Sequence, residues 1–391
     1  MMNRAQLTLM MLLLLLGAPA GAIVGCGGGS ADVETQVTEL PPADPAAVRE
    51  FRAGNRLMSR GTNRAEQRAI RRFRQAVEID PYLWEAFYNL GVLYRRRGEM
   101  REAITALAEA RRIQPGAREP LLALAEVHYA LGERDEASTL LEAFVDVDPD
   151  AVEARVAYAT ILRERGEYDD ALEQAREALI RESSNADALV EIGRVYRARE
   201  QYDVADLVFR KALDLSEDDR ERQATLHDDL GLVALARGDT QAAFLQFQEA
   251  IQLDAQNKSA RMNQGSVLLQ AGDYAGAQAH YEAVLTIDDG DLDARVALGI
   301  CQRGQGDHRQ ARRSYEGVLD DAPNHPAALF NLAVLKAEFL DQRPASREYF
   351  ERFLRVAPSD APQREMAERY LREIPAAAPR RRGRGSSGGA G

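Results

Sequence analysis

The sequence predicts an all-α solenoid: a stack of about nine helix pairs closed by a single capping helix. One observation is a fixed interval. Ala69, Ala103, Ala137, Ala171 and Ala205 recur every 34 residues, and after a four-residue insertion Ala243, Ala277, Ala311 and Ala345 resume the same step. The other is local: on both sides of each turn, apolar residues recur at i, i+3, i+4 and i+7, the spacing of one helix face. A period of this length marks a repeat architecture, in which no unit buries its own apolar face and each must stack on its neighbours.

Within a unit the columns are regular. Four residues after each alanine stands Phe73, Leu107, Leu141, Ala175, Phe209, Phe247, Tyr281, Tyr315 or Tyr349, large and apolar with Ala175 as the exception. Twelve residues before most of the alanines comes a small residue: Gly91, Ala125, Ala159, Gly193, Gly231, Gly265, Gly299 or Ala333. Gly54 takes that role in the first unit, with three extra residues before Ala69. Between the small positions lies a turn glycine (Gly61, Gly98, Gly132, Gly166, Gly238, Gly272, Gly306), replaced by Glu200 and Leu340 in two units. Each unit therefore reads as helix, tight turn, helix. The small column implies two helices packed at short distance, with the large column filling the space beside the contact. Pro81, Pro149 and Pro323 end units by fixing φ. Residues 361–374 place Met366, Tyr370 and Ile374 on one face, with Pro362 suited to a first helical turn, and read as the capping helix of an open stack.

These columns resemble the tetratricopeptide repeat (TPR) family. The fullest match runs from Trp84 to Pro115, with Leu90, Gly91, Tyr94, Ala103, Ala110 and Pro115 at signature positions and Gly98 in the turn. The units are 47–83, 84–117, 118–151, 152–185, 186–223, 224–257, 258–291, 292–325 and 326–360, an array over 47–360. The resemblance implies a right-handed superhelix whose first helices line a concave groove that holds a protein partner. On that register the N-terminal half presents Tyr88, Arg95, Arg96, Tyr129, Arg163, Arg194 and Arg197 to the groove. The C-terminal half presents Leu232, Leu235, Met262, Leu269, Val296, Ile300, Phe330 and Val334. Arginine forks and tyrosines are residue types that recur in binding hot spots. A partner with acidic groups along the arginines and apolar groups along the rest is the expectation. Two alternatives stay open: the arginines pair with Glu126, Glu153 and Glu164, or the chain's own C-terminal segment covers the apolar positions. No first helix carries a Lys-x-x-x-Asn pair, so the chaperone-carboxylate clamp of one subclass is not expected.

The N-terminus reads as an address. Arg4 precedes an apolar run from Leu7 to Leu16, broken only by Thr8, and Gly17, Pro19 and Gly21 follow. The run is shorter than the roughly 20 residues of a membrane span and reads as a signal peptide over 1–25. Ile23-Val24-Gly25-Cys26 resembles a bacterial lipobox, which implies lipid on Cys26; cleavage after Ala18-Pro19-Ala20 is the alternative. Gly27 after the cysteine favours the outer membrane under the enteric sorting rule. Residues 26–46, Gly-rich and then acidic, read as a tether, and 375–391, with Arg380-Arg381-Arg382-Gly383-Arg384, as a disordered tail.

Composition narrows the function. A net charge of -12 and a pI of about 5.1 argue against non-specific nucleic-acid binding. Lys211, Lys258 and Lys336 are the only lysines. Among His128, His227, His280, His308 and His325 no pair has i, i+4 spacing, and Cys301 reads as a buried inert thiol. His128 is expected half-buried, and His308 and His325 in turns. No phosphate-cradling loop opens a helix, so no cofactor, metal, catalytic residue or small-molecule substrate is expected. The expectation is a lipid-anchored TPR scaffold at the periplasmic face of the outer membrane, assembling an envelope complex for secretion, pili or motility. It looks similar to TPR lipoproteins of myxobacterial gliding-motility or pilus machinery. The alternative is a regulator or substrate clamp for a cell-wall enzyme.

Overall fold

The computed structural model describes residues 40–374; Cys26, the signal peptide, the tether up to residue 39 and the Arg-rich tail lie outside the described residues. Among the described residues there are nineteen helices and no strand. In chain order the pairs are α1 (Pro45–Met58) with α2 (Asn63–Ile79), α3 (Trp84–Arg96) with α4 (Met100–Ile113), and α5 (Arg118–Ala130) with α6 (Arg134–Val147). Then come α7 (Val152–Glu164) with α8 (Tyr168–Arg181), α9 (Ala186–Ala198) with α10 (Tyr202–Asp214), and α11 (Arg220–Ala236) with α12 (Thr240–Leu253). The last pairs are α13 (Lys258–Gln270) with α14 (Tyr274–Ile287), α15 (Leu292–Gly304) with α16 (His308–Asp321), and α17 (Pro326–Glu338) with α18 (Arg343–Val356). A final helix, α19 (Arg364–Glu373), packs on α18. Pro362 lies in the turn before α19 and not in its first helical turn, because Gln363 is the residue that caps the helix.

The small and large columns meet directly. A Cβ placed on Gly231 would stand 2.4 Å from the Phe247 ring, and one on Gly193 would stand 2.5 Å from Phe209. Gly54 against Phe73 and Gly299 against Tyr315 repeat the contact at 2.5 Å. The large residue of the second helix thus seats on the missing side chain of the first; it does not lie beside a bare backbone crossing, as the columns alone suggested. Phe73, Phe209, Phe247 and Tyr315 are fully buried there. Three first helices carry alanine instead: Ala125 shares a core with Leu141, Ala159 with Ala175 and Ala333 with Phe350.

Two departures from the period have physical causes. The four-residue insertion lengthens α11, which has 17 residues where the other first helices from α3 onward have 13. Four residues add about one turn and leave the buried face in line. In the last pair the register slips by one. Ala345 is exposed and Tyr349 only half-buried, whereas Ser346 and Phe350 are fully buried. The left-handed turn residue is Asp341 (φ 52°) and not Leu340, so the turn is one residue longer and the 34-step alanine misses the core. Glu200 (φ 59°) does take the glycine's conformation in its unit.

Successive first helices approach one another: α3 packs on α5, α7 on α9, α9 on α11, α11 on α13 and α15 on α17, while no two successive second helices come as close. The first helices therefore lie on the inside of the curve. Gly231→Ala should lower the unfolding free energy by about 1–3 kcal/mol through overpacking, and adding Phe247→Leu should recover part of that loss. Circular dichroism in urea reads both. Ser346→Glu should unfold the C-terminal pair, while Ala345→Glu should melt like the parent.

Candidate partner groove

The arginines expected in the groove are already engaged. Arg95 pairs with Glu126 of the next unit's first helix, and Arg96 lies 3.7 Å from Glu66. The Tyr129 hydroxyl donates to Glu164 at 2.5 Å, and Arg134 donates to the same carboxylate at 2.8 Å. Burial acts to raise the Glu164 pKa, but these two hydrogen bonds and the charges of Arg134 and Arg163 together hold it below the usual range. Arg163 donates to Glu191 at 2.8 Å. Arg194 bridges Glu191 at 3.0 Å and Asp229 at 2.9 Å, and Arg197 lies 3.5 Å from Asp229. Neighbour pairing, left open in the sequence, thus holds through Glu126, Glu191 and Asp229 more than through Glu164, which Arg163 approaches only at 4.0 Å. Among the described residues Glu153 makes no ion pair.

The carboxylates of this network were missed in the sequence. Glu191 and Asp229 are each 4% exposed, and Asp228 is 8% exposed. Glu191 and Asp229 share one register point on their first helices, once the extra turn of α11 is allowed for, and Asn331 holds it in α17, accepting from Arg303 at 3.3 Å. The readable signal was an acid inside an apolar run, Leu189-Val190-Glu191-Ile192. Asp228 accepts from the Ser259 hydroxyl at 2.6 Å and the Asn263 amide at 2.8 Å. Burial raises its pKa despite those bonds. Burial raises Asp229 too, against the opposing pull of Arg194 and Arg197.

The apolar half is largely core. Val296 is 4% exposed and sits in a cluster with Leu332 and Leu335, so it does not present a groove surface. Ile300 packs half-buried on that cluster. Leu232 and Leu235 pack on Phe247, and Met262 and Leu269 on Tyr281 and Cys301. Phe330 lies 5.2 Å from Phe353 between ring centroids, and with Val334 it packs on a cluster that includes Ala367 and Ile374. The chain's own capping segment thus joins the core beneath those two residues. Tyr88 packs half-buried on the first cluster.

Sites for other chemistry are also accounted for. Cys301 is fully buried, and burial pushes its thiol up to about 11, far from a reactive thiolate. His128 is half-buried, with Nδ1 2.6 Å from Glu133. His308 opens α16 and packs at a tilt against Phe339, 4.8 Å between ring centroids, and His325 caps α17, so both sit at helix starts and not in turns. Among the described residues no group of three His, Cys, Asp or Glu could hold a metal ion, and no helix is long and apolar enough to cross a membrane.

Beside this network lies a recess of about 230 Å³ between α5 and α7, lined by Leu122, Ala125, Tyr129, Ala157 and Ile161 with Glu126 and Glu153 at its edge. It opens where two successive first helices are not closely packed.

Asp229→Ala should cost about 3 kcal/mol, because it strips the carboxylate from Arg194 and Arg197 in a buried site. Asp228→Asn should raise the denaturation midpoint at pH 7. The sign follows from the raised pKa values: the folded chain takes up protons at these aspartates before the unfolded chain does. Their contribution therefore grows as pH falls through the raised folded values and is complete below the ordinary carboxylate range. Urea titrations at several pH values should show that gain shrink in Asp228→Asn.

No curated protein matches the chain in sequence. Tetratricopeptide-repeat family models match residues 67–118, 122–185 and 229–291, 184–256, and 268–328. Among solved structures, one chain of the APC/C hetero-tetramer Cut9–Hcn1 is similar over 84% of this chain and 66% of its own, at 13% identity and a TM-score of 0.55. A tetratricopeptide-repeat protein from Parabacteroides merdae ATCC 43184 aligns over 64% of this chain and 98% of its own, at 19% identity and a TM-score of 0.49. YrrB, a TPR protein with an unusual peptide-binding site, aligns over 48% of this chain and 95% of its own, at 25% identity and a TM-score of 0.36. The keyed helix pairs and the family matches, which together run from 67 to 328, agree: the chain belongs to the tetratricopeptide-repeat family, whose repeats are protein-interaction modules.

Proposed function

We propose that this protein is a lipid-anchored scaffold that holds a protein partner along the inner face of its repeat array and so assembles or stabilises an envelope complex. The observation that carries the reading is the placing of first helices, and not second helices, on the inside of the curve. Those first helices form one long surface, with all described residues after Pro45 committed to the array and its cap. A surface of this kind offers many weak contacts in sequence, which suits capture of an extended or helical segment. The anchor rests on Ile23-Val24-Gly25-Cys26, with the Gly-rich stretch behind it as a spacer. Several acyl chains, each methylene contributing roughly 0.8 kcal/mol, would hold the array at a membrane without a spanning helix. The outer membrane is the favoured site, given Gly27, and secretion, pilus or motility machinery the favoured class of complex.

Cys26→Ser should abolish incorporation of an alkyne-tagged fatty acid and move the protein from the membrane to the soluble fraction. Tag incorporation that persists in the variant rejects the anchor. Crosslinking of the lipidated protein in its native envelope should recover a stoichiometric protein partner; recovery of none rejects the scaffold.

A further inference from the structure

The recess between α5 and α7 differs from the rest of the groove. Its walls are apolar, and its volume of about 230 Å³ lies below the roughly 300 Å³ at which small-molecule pockets begin. It is of side-chain scale. Ala157 explains why it exists: it stands at the register point that Glu191 fills in the next unit, and it leaves open the space that a longer side chain would occupy. The only charged residues that line it are Glu126, already paired with Arg95, and Glu153, which has no ion-pair partner among the described residues.

The next recess along the groove begins at Val156, beside Ala157 in the chain, and is wider, at about 440 Å³. Four carboxylates line it (Asp187, Glu191, Asp219, Glu221) against two guanidiniums, Arg194 and Arg222. Both guanidiniums are already engaged: Arg194 by Glu191 and Asp229, and Arg222 by Asp187 at 2.9 Å and Asp219 at 3.1 Å. An apolar socket thus adjoins a recess with surplus negative charge. The arginines that suggest an acidic partner in the sequence are spent on neighbours.

We infer that the α5–α7 socket seats a large apolar side chain of a partner segment that carries arginine or lysine beside it, the basic group entering the recess next to Val156. This rests on the groove reading above and reverses the charge expected of the partner. A fluorescein-labelled extended peptide of Gly and Ser with a Phe followed by arginines is the probe, titrated by anisotropy into the full chain in detergent. It should bind, and replacing its Phe by Ala, or its arginines by Glu, should weaken binding by about tenfold or more. Ala157→Phe fills the socket and Glu153→Lys reverses its exposed edge; each should weaken the Phe/Arg peptide by about tenfold. Glu153→Lys should do so with an unchanged melting midpoint, which separates loss of binding from loss of fold. Equal or tighter binding of the Glu peptide overturns the inference and leaves the scaffold reading intact. Absence of binding by the Phe/Arg peptide, or binding indifferent to both substitutions, also overturns it, while the envelope crosslink tests the scaffold separately.

Discussion

The structure depends on one packing contact: in most units a ring or leucine of the second helix lodges where the first helix has only glycine or alanine. Phe247 over Gly231 and Leu107 over Gly91 show it in its tightest form. The contact fixes the distance and rotation of the two helices, so it decides which residues of the first helix turn inward to the groove. A pair held this way still exposes an apolar flank, and the next pair covers it. Fold and binding surface are therefore outcomes of the same constraint.

Once the first helices line the inner face, their polar residues must be satisfied at close quarters. Arg163, Glu191, Arg194, Asp229 and Arg197 solve this by pairing from one unit to the next. Charges buried this way contribute little net stability, but removing one partner leaves an exposed cost. They also fix how neighbouring units face one another. Electrostatically, the arrangement cancels the arginines and leaves carboxylates in excess, in keeping with the chain's net charge of -12. The local charge of a groove is set by which side chains remain unpaired, not by which residue types reach it.

Much of the fold was legible because the period, the turn glycines and the small and large columns each follow from helix geometry. The extra turn of α11 was visible as a four-residue offset. What the period hid was the slip in the last pair: Ala345 kept step in sequence, but the longer turn at Asp341 handed its place to Ser346. The groove was less legible. Register placed Arg163, Arg194 and Arg197 correctly on first helices but could not show that Glu191 and Asp229 reach them from the next unit. It likewise assigned Val296 to the surface, although the following pair covers it. Pairing across units is a property of the stack, and a single repeat does not encode it.

The central claim is that the inner face of the array, and not its outer helices, meets the partner. Photoreactive side chains placed singly at Ala157 and Thr225 on first helices, and at the exposed Leu207 and Leu245 on second helices, test it in the native envelope. The account predicts discrete adducts from Ala157 and Thr225 and none from Leu207 or Leu245. Adducts confined to Leu207 and Leu245 would contradict it.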